Sequence, residues 1–385
     1  MTERALIASR SGAVTPWVEQ TVAALGYDVT AQLTAEAPEH GRYHVPPGLV
    51  DRLRTRLDNL DVSLVAVDGL VHPGQAVDLA SALPQTTIRD RRGVVWERLA
   101  AGGNSAAERS LALRTHQTER RRAARDQRED STRGPTGTSG RVEELDRRCQ
   151  RARESAQTAR DDQRRRVETA HDGVDQHVAL VGAAGESTGP LRAALTDSVA
   201  GEDGPFTPAR PVTETTSIGP HDLAVTDTPG IPPALPEWYA RAVPGTLAAL
   251  DRADVVVLAG SSNNAGELAQ SVCNRTDGVL LLGLPPDELD GAPDVVSDTL
   301  DRTAPDSVRA RVADHLPTVR LGLWLPYSDG AHALVSRLHD RADVLSVDYD
   351  DTVAVTVDVP AGVAPELRRR VDSLGGDCDE ASDPR

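Results

Sequence analysis

The 385-residue chain carries 42 basic and 59 acidic side chains, a net charge of −17, and is long enough for two or three domains with separate cores. No apolar run approaches the ~18–20 residues of a membrane helix and the first residues lack a secretory apolar core, so membrane-spanning and exported classes are not expected and a soluble, cytoplasmic protein is. All 42 positive charges are arginine and there is no lysine; an acidic, lysine-free surface suits a halophilic cytoplasm, where screening mutes self-repulsion.

In chain order, residues 1–103 alternate short apolar runs with helical spacing. Ala5–Ser9 reads as a strand, Trp17–Leu25 as a helix and Leu49–Leu60 as a second, amphipathic helix. The strand Val62–Asp68 follows, Pro73 opens a helix running to Leu83, and Thr86–Arg89 is short and extended. Strand–helix alternation predicts a small parallel α/β domain. Residues 104–172 are polar and rich in Arg, Glu, Gln and Ala, with a Gly/Pro break at Ser131–Gly140. They read as a helical hairpin linker with a thin seam of Leu145, Cys149, Ala152, Ala156 and Ala159.

The α/β pattern returns over 173–315, with strands expected at 177–182, 222–227, 253–259 and 278–283. Residues 316–375 read as a small α+β domain: Val319–Leu325 a strand, Ser328–His339 a helix, and Thr352–Val359 alternating at period two. Residues 376–385 read as a disordered tail. Cys149, Cys273 and Cys378 lie far apart without metal spacing and read as free thiols. The histidines His72, His116, His171, His332 and His339 share no ligand spacing and read as surface or packing residues.

One constellation carries chemistry. The strand 177–182 (HVALVG) runs into a small-residue loop and then a helix ending at Thr196; further on, a second strand ends in Asp227-Thr228-Pro229-Gly230. A strand–loop–helix followed by a strand ending in DxxG is the layout of a P-loop GTPase. Loop amides cradle phosphates at a helix N-terminus, the Asp supports a magnesium shell, and the Gly amide reaches the γ-phosphate. The bland alternative is an α/β crossover that merely ends in a turn.

Around that layout the chain resembles the HflX-type GTPases. Ala234-Leu235-Pro236, Thr246-Leu247 and Ala253-Asp254 are similar to the family's segment after its own DxxG. Thr132-Arg133-Gly134-Pro135 and Asp146-Arg147-Arg148 resemble elements of its helical linker. Pro73, Gln75 and Leu79, then Asp90-Arg91, resemble its N-terminal domain, and Leu325–Gly330 (LPYSDG) its C-terminal segment. The resemblance is collinear over nearly the whole chain. It implies an α/β architecture with a mostly parallel, Ras-like G domain, GTP or GDP with Mg²⁺ as ligands, and the large ribosomal subunit as partner through the N-terminal domain and the Arg-rich hairpin.

Carried onto this chain, the nucleotide-contacting positions are Gly182, Gly185, Ser187, Thr188, Gly189, Asp227, Gly230 and Asp287, with Asp227 and Thr207 as the magnesium candidates. The motifs have decayed. In the ungapped alignment Ser187 stands at the glycine before the P-loop lysine, Thr188 at the lysine and Gly189 at the magnesium-binding hydroxyl. Losing the lysine removes a contact worth roughly 1.5–3 kcal/mol. Arg192 lies beyond the loop, four residues past Thr188. In place of the guanine-reading NKxD stands Leu284-Pro285-Pro286-Asp287, and the switch segment Pro205–Thr216 lacks the expected threonine spacing.

Residues 114–166 hold sixteen Arg against ten acidic residues, a local net of +6, with arginine runs at 120–122 and 164–166. Arginine pairs with phosphate bidentately; the alternative is a solvated hairpin laced by i,i+4 ion pairs. Three functions stay open: an HflX-like pseudo-GTPase that binds a ribosome, a divergent GTPase that hydrolyses GTP when stimulated, and a regulator of an intact paralogue.

Overall fold

The structure, a computed structural model, describes residues 2–131, 139–174, 176–199, 204–261, 264–285 and 293–380. Among these, proline stands in the first turn of seven helices, where its fixed φ fits and no amide is lost.

The first unit comprises β1 (Arg4–Ser9), α1 (Pro16–Ala24), β2 (Asp28–Thr34), α2 (Pro47–Asn59), β3 (Leu64–Val67), α3 (Pro73–Ala82), β4 (Thr87–Asp90) and α4 (Arg91–Ala101). Its strands are parallel in the order β2-β1-β3-β4. β3 is buried throughout and β1 nearly so, as unbroken apolar runs require when helices cover both faces. His72 caps α3: its ring accepts from the Gly74 amide while Gln75 accepts from the His72 amide.

Two long helices follow, α5 (Ser105–Ser131) and α6 (Ser139–Ala170). In their seam Leu145, Cys149, Ala156 and Ala159 are buried and Ala152 half-buried. Most of the break expected at Ser131–Gly140 lies outside the described residues. At the far end of α6, His171 hydrogen-bonds Thr226 at 2.8 Å and stacks on His177 with ring centroids 4.4 Å apart. Burial, then the His177 ring, push its pKa down to about 4.

The central unit contains β5 (Gln176–Gly182), α7 (Gly189–Thr196), β6 (Val212–Ile218), β7 (His221–Asp227), α8 (Glu237–Ala240), α9 (Pro244–Arg252), β8 (Val255–Ala259), α10 (Ala265–Cys273), β9 (Val279–Leu284), β10 (Asp298–Asp301) and α11 (Pro305–His315). Its sheet runs β10-β9-β8-β5-β7-β6, parallel except for β6 against β7. Residues 212–216 of the expected switch segment therefore belong to an antiparallel edge strand. Thr213 bonds Thr226 across it.

The last unit is β11 (Thr318–Leu325), α12 (Asp329–Arg341), β12 (Asp343–Tyr349), β13 (Val353–Pro360), α13 (Ala364–Ser373) and β14 (Asp377–Glu380). The order β12-β13-β11-β14, antiparallel throughout, makes a β-α-β-β-α-β plait. β14 corrects the tail expectation: residues 377–380 are not disordered but pair with 321–324 of β11. Their acidic sequence hides the strand because the sheet edge asks only for backbone hydrogen bonds and little burial.

The first and central units share one core. Trp17, Val18, Trp96 and Leu99 pack with Phe206, Ile231, Tyr239 and Val243. Trp17 meets the only Phe of the chain edge-on at 5.7 Å, and Phe206 meets Tyr239 at 5.9 Å.

Candidate phosphate-loop site

The site grows from three ends that the parallel sheet brings to one edge: the carboxyl end of β5, the carboxyl end of β7 and the amino end of α7. In an open α/β sheet this is where ligands are received. Gly182 closes β5, Gly185 and Ser187 lie in the loop, Thr188 and Gly189 open α7, Asp227 closes β7, and Gly230 follows it. Seven of the eight positions expected to contact nucleotide thus converge. Asp287 lies outside the described residues.

Several of the polar groups bordering the loop are turned on the protein itself. The Ala184 amide donates to the Ile231 carbonyl at 2.9 Å, and the Ile231 amide to the Gly182 carbonyl at 2.7 Å. Ala183 and Ile231 form a parallel bridge, so β5 and the DTPG turn continue pairing past the ends of their strands. The Ala183 amide donates to Ala259, the Glu186 amide to Ala183, and the Gly189 amide to the Ser187 hydroxyl. Five amides between 183 and 231 that border the loop are therefore engaged. The closure is tight at Gly230: a Cβ there would stand 3.0 Å from the Ala183 carbonyl oxygen.

Gly185 adopts φ +95°, and a Cβ on it would come within 2.7 Å of the Gln20 side chain of α1 and 3.5 Å of Trp17. The first unit therefore roofs the loop. Beneath it, the buried Tyr239 hydroxyl donates to the Gly230 carbonyl at 2.5 Å.

The charges are matched in the same inward manner. Asp227 is 3% exposed. The Thr188 hydroxyl donates to its Oδ1, and the Arg192 guanidinium lies 3.5 Å from its Oδ2 while pairing Glu214 at 3.0 Å. Burial pushes the Asp227 pKa up to about 7, against the opposing pull of Thr188 and Arg192. Glu186, the loop's own carboxylate, pairs with Arg302 at 3.2 Å from the turn after β10.

Arg192, set aside in the sequence as beyond the loop, is the cation of this site. Four residues are about one helical turn, so its side chain returns to the pole where Thr188 stands. That spacing was the available signal. Glu214 and Arg302 had none, because edge-strand pairing and a turn remote in sequence bring them in. Thr207, expected near magnesium, is elsewhere: its hydroxyl accepts from Arg98 of α4 at 2.8 Å. The neighbouring Phe206 is buried against Trp17 of the first unit.

No family model matches the chain. Over 262 residues it is 26% identical to the GTPase HflX of Thermococcus kodakarensis, covering 65% of this chain and 59% of that protein. The chain is thus similar to the HflX-type GTPases, in line with the collinear motifs and the P-loop layout. It spans less than two thirds of the length of that relative. Among solved structures, SsGBP in complex with GDP is 15% identical with a TM-score of 0.49, covering 82% of this chain and 98% of that one. A GTP-binding protein from the archaeon Sulfolobus solfataricus in complex with GDP is 15% identical with a TM-score of 0.45, covering 82% and 98%. Against the family's motifs, the chain has the DTPG turn but carries Thr188 at the lysine position, and its Arg192 pairs with Asp227 and Glu214.

Proposed function

We propose that this chain is an HflX-like pseudo-GTPase: a binding protein that keeps the G-domain scaffold without a nucleotide cycle. The supporting observation is the seal between the loop and the DTPG turn, made by the Ala184–Ile231 and Ile231–Gly182 hydrogen bonds. Phosphates need the loop amides and the glycine amide of DxxG to stand apart and open. Here the two segments bond each other, Arg192 and Thr188 hold the carboxylate that would support magnesium, and Glu186 sits where a phosphate would be repelled. The residues present do not fit GTP with Mg²⁺.

The partner proposed is the large ribosomal subunit, met by the first unit and the α5–α6 hairpin in a cytoplasm at high salt. Within the two arginine runs, Arg120 pairs with Asp146, Arg164 with Glu168 and Arg165 with Asp162. Arg121, Arg122 and Arg166 have no ion pair among the described residues and are the ones free to meet phosphate.

Titration with fluorescent GTP and GDP in molar KCl, with and without Mg²⁺, tests the first part. No saturable binding is expected, and Thr188→Lys alone should not create it, because the seal persists. Micromolar affinity that disappears in Asp227→Ala would overturn the reading in favour of a divergent active GTPase. Co-sedimentation with 50S subunits tests the second part. Association that weakens in Arg121→Ala/Arg122→Ala is expected, and no association in native salt counts against it and favours a paralogue partner.

A further inference from the structure

The chain has only ten Phe, Trp and Tyr side chains, and seven of them are buried or half-buried. The other three are Trp324, Tyr327 and Tyr349, exposed to 43%, 49% and 52%. All three belong to the C-terminal plait and sit at one end of it. Trp324 pairs in register with Ala354 and with Asp377, and Ala354 with Asp348. One row further, Leu325, Val353 and Tyr349 stand side by side. Tyr327 lies two residues beyond Leu325, within the LPYSDG segment that the loop site leaves unused.

These rings are ordered against neighbours. The His332 ring lies 6.2 Å from Tyr327 and 6.4 Å from Tyr349, near parallel to the latter at 19°. Leu323 and Leu325 point into the plait core, so Trp324 between them faces the side away from the helices. Its ring folds back over Gly322, where an added Cβ would come within 2.9 Å of it. A flat, braced ring loses little freedom when something stacks on it.

The same end carries five exposed carboxylates: Asp329 at the start of α12, Asp348, Asp350 and Asp351 at the β12–β13 turn, and Asp377 beside Trp324. Among the described residues none of the five has an ion pair or a side-chain hydrogen bond to a basic group, whereas Asp358 further along the sheet is clamped by Arg320 at 2.8 Å. Exposed aromatics are the side chains that dominate protein interfaces, and aromatic faces attract guanidinium and ammonium groups.

We infer that this end of the plait docks an arginine- or lysine-rich protein segment that crosses the end of the sheet, its cations stacking on Trp324 on the open face and on Tyr327 and Tyr349 beside His332 on the helix face while the five carboxylates neutralise them. Plaits that bind RNA also stack bases on exposed aromatics of the open face, but they need cations along the phosphates, and here that ground is acidic.

Fluorescence anisotropy of the full chain with a labelled arginine–glycine repeat peptide, and separately with labelled oligouridine, decides it across a KCl series. The peptide should bind, and Trp324→Ala/Tyr349→Ala should weaken it by about tenfold or more, a hot-spot loss, while net charge is unchanged. Hydrogen exchange on the unaltered chain should show peptide-induced protection at 322–327 and 346–351. Equal affinity in the double variant, which would reveal attraction by general acidity, overturns the proposal, as does protection elsewhere. Oligouridine protecting the same residues overturns it in favour of nucleic acid.

Discussion

The loop between β5 and α7 and the open end of the C-terminal plait spend their polar and aromatic groups in opposite ways. At the loop every named charge has an internal partner: Asp227 with Arg192, Glu214 with Arg192, Glu186 with Arg302. The neighbouring aromatics Trp17, Phe206 and Tyr239 are buried against each other. At the plait three rings and five carboxylates are left exposed. A protein region that satisfies its own groups is built for a fixed shape; one that leaves them open is built for an encounter. The contrast sets a loop whose charges are matched internally against a surface whose rings and carboxylates are not.

Four substitutions sharpen or break that contrast. Phe206→Ala empties a fully buried position between the first and central units and should cost about 3–5 kcal/mol, read as a lower urea midpoint; a loss below about 1 kcal/mol would mean the two units do not share a core. Next comes the pH dependence carried by Asp227. Its folded pKa lies above the ordinary value, so its contribution to stability is present below about pH 4 and lost as pH rises towards about 7. Asp227→Asn abolishes that loss. Relative to the parent it should gain as pH rises through this window, by up to about 4 kcal/mol in total, and the gap should then stay level. A gap independent of pH would mean that Arg192 keeps the carboxylate ionised.

Tyr239→Phe keeps the ring and removes the hydroxyl that holds the Gly230 carbonyl. A loss of about 0.5–1.5 kcal/mol is expected, with faster exchange of the Ile231 amide; unchanged exchange would separate the aromatic core from the seal. The smallest effect belongs to the plait. Trp324→Ala should change stability by no more than about 0.5 kcal/mol, since the ring touches solvent, and a larger loss in thermal denaturation would make it a core residue and undo the comparison.

Much of the architecture was legible in the sequence, and its gaps share a cause. The strands read correctly from the sequence are mostly central ones, β1, β3, β5, β7, β8, β9, β11 and β13, whose residues are buried on one or both faces. The strands that went unread, β2, β6, β10, β12 and β14, all lie at sheet edges. An edge strand such as Val212–Ile218 is largely half-exposed and polar, so it carries little hydrophobic period to detect. The helices α4, α8, α10, α11 and α13 also went unread.

The sequence by itself determined that a P-loop scaffold is present, that no ammonium can serve it, and that Asp227 and Gly230 stand where a DxxG turn belongs, because strand hydrophobicity and the absence of lysine are local properties of the chain. Only the tertiary structure decided how the loop's charges are matched and where the exposed rings lie. The seal of Ile231 on Gly182, the return of Arg192 to Asp227, the reach of Arg302 to Glu186 and the gathering of Trp324, Tyr327 and Tyr349 at one end of a plait all join residues across strands or helical turns. Such meetings follow from sheet order and helix phase, which no stretch of sequence records alone.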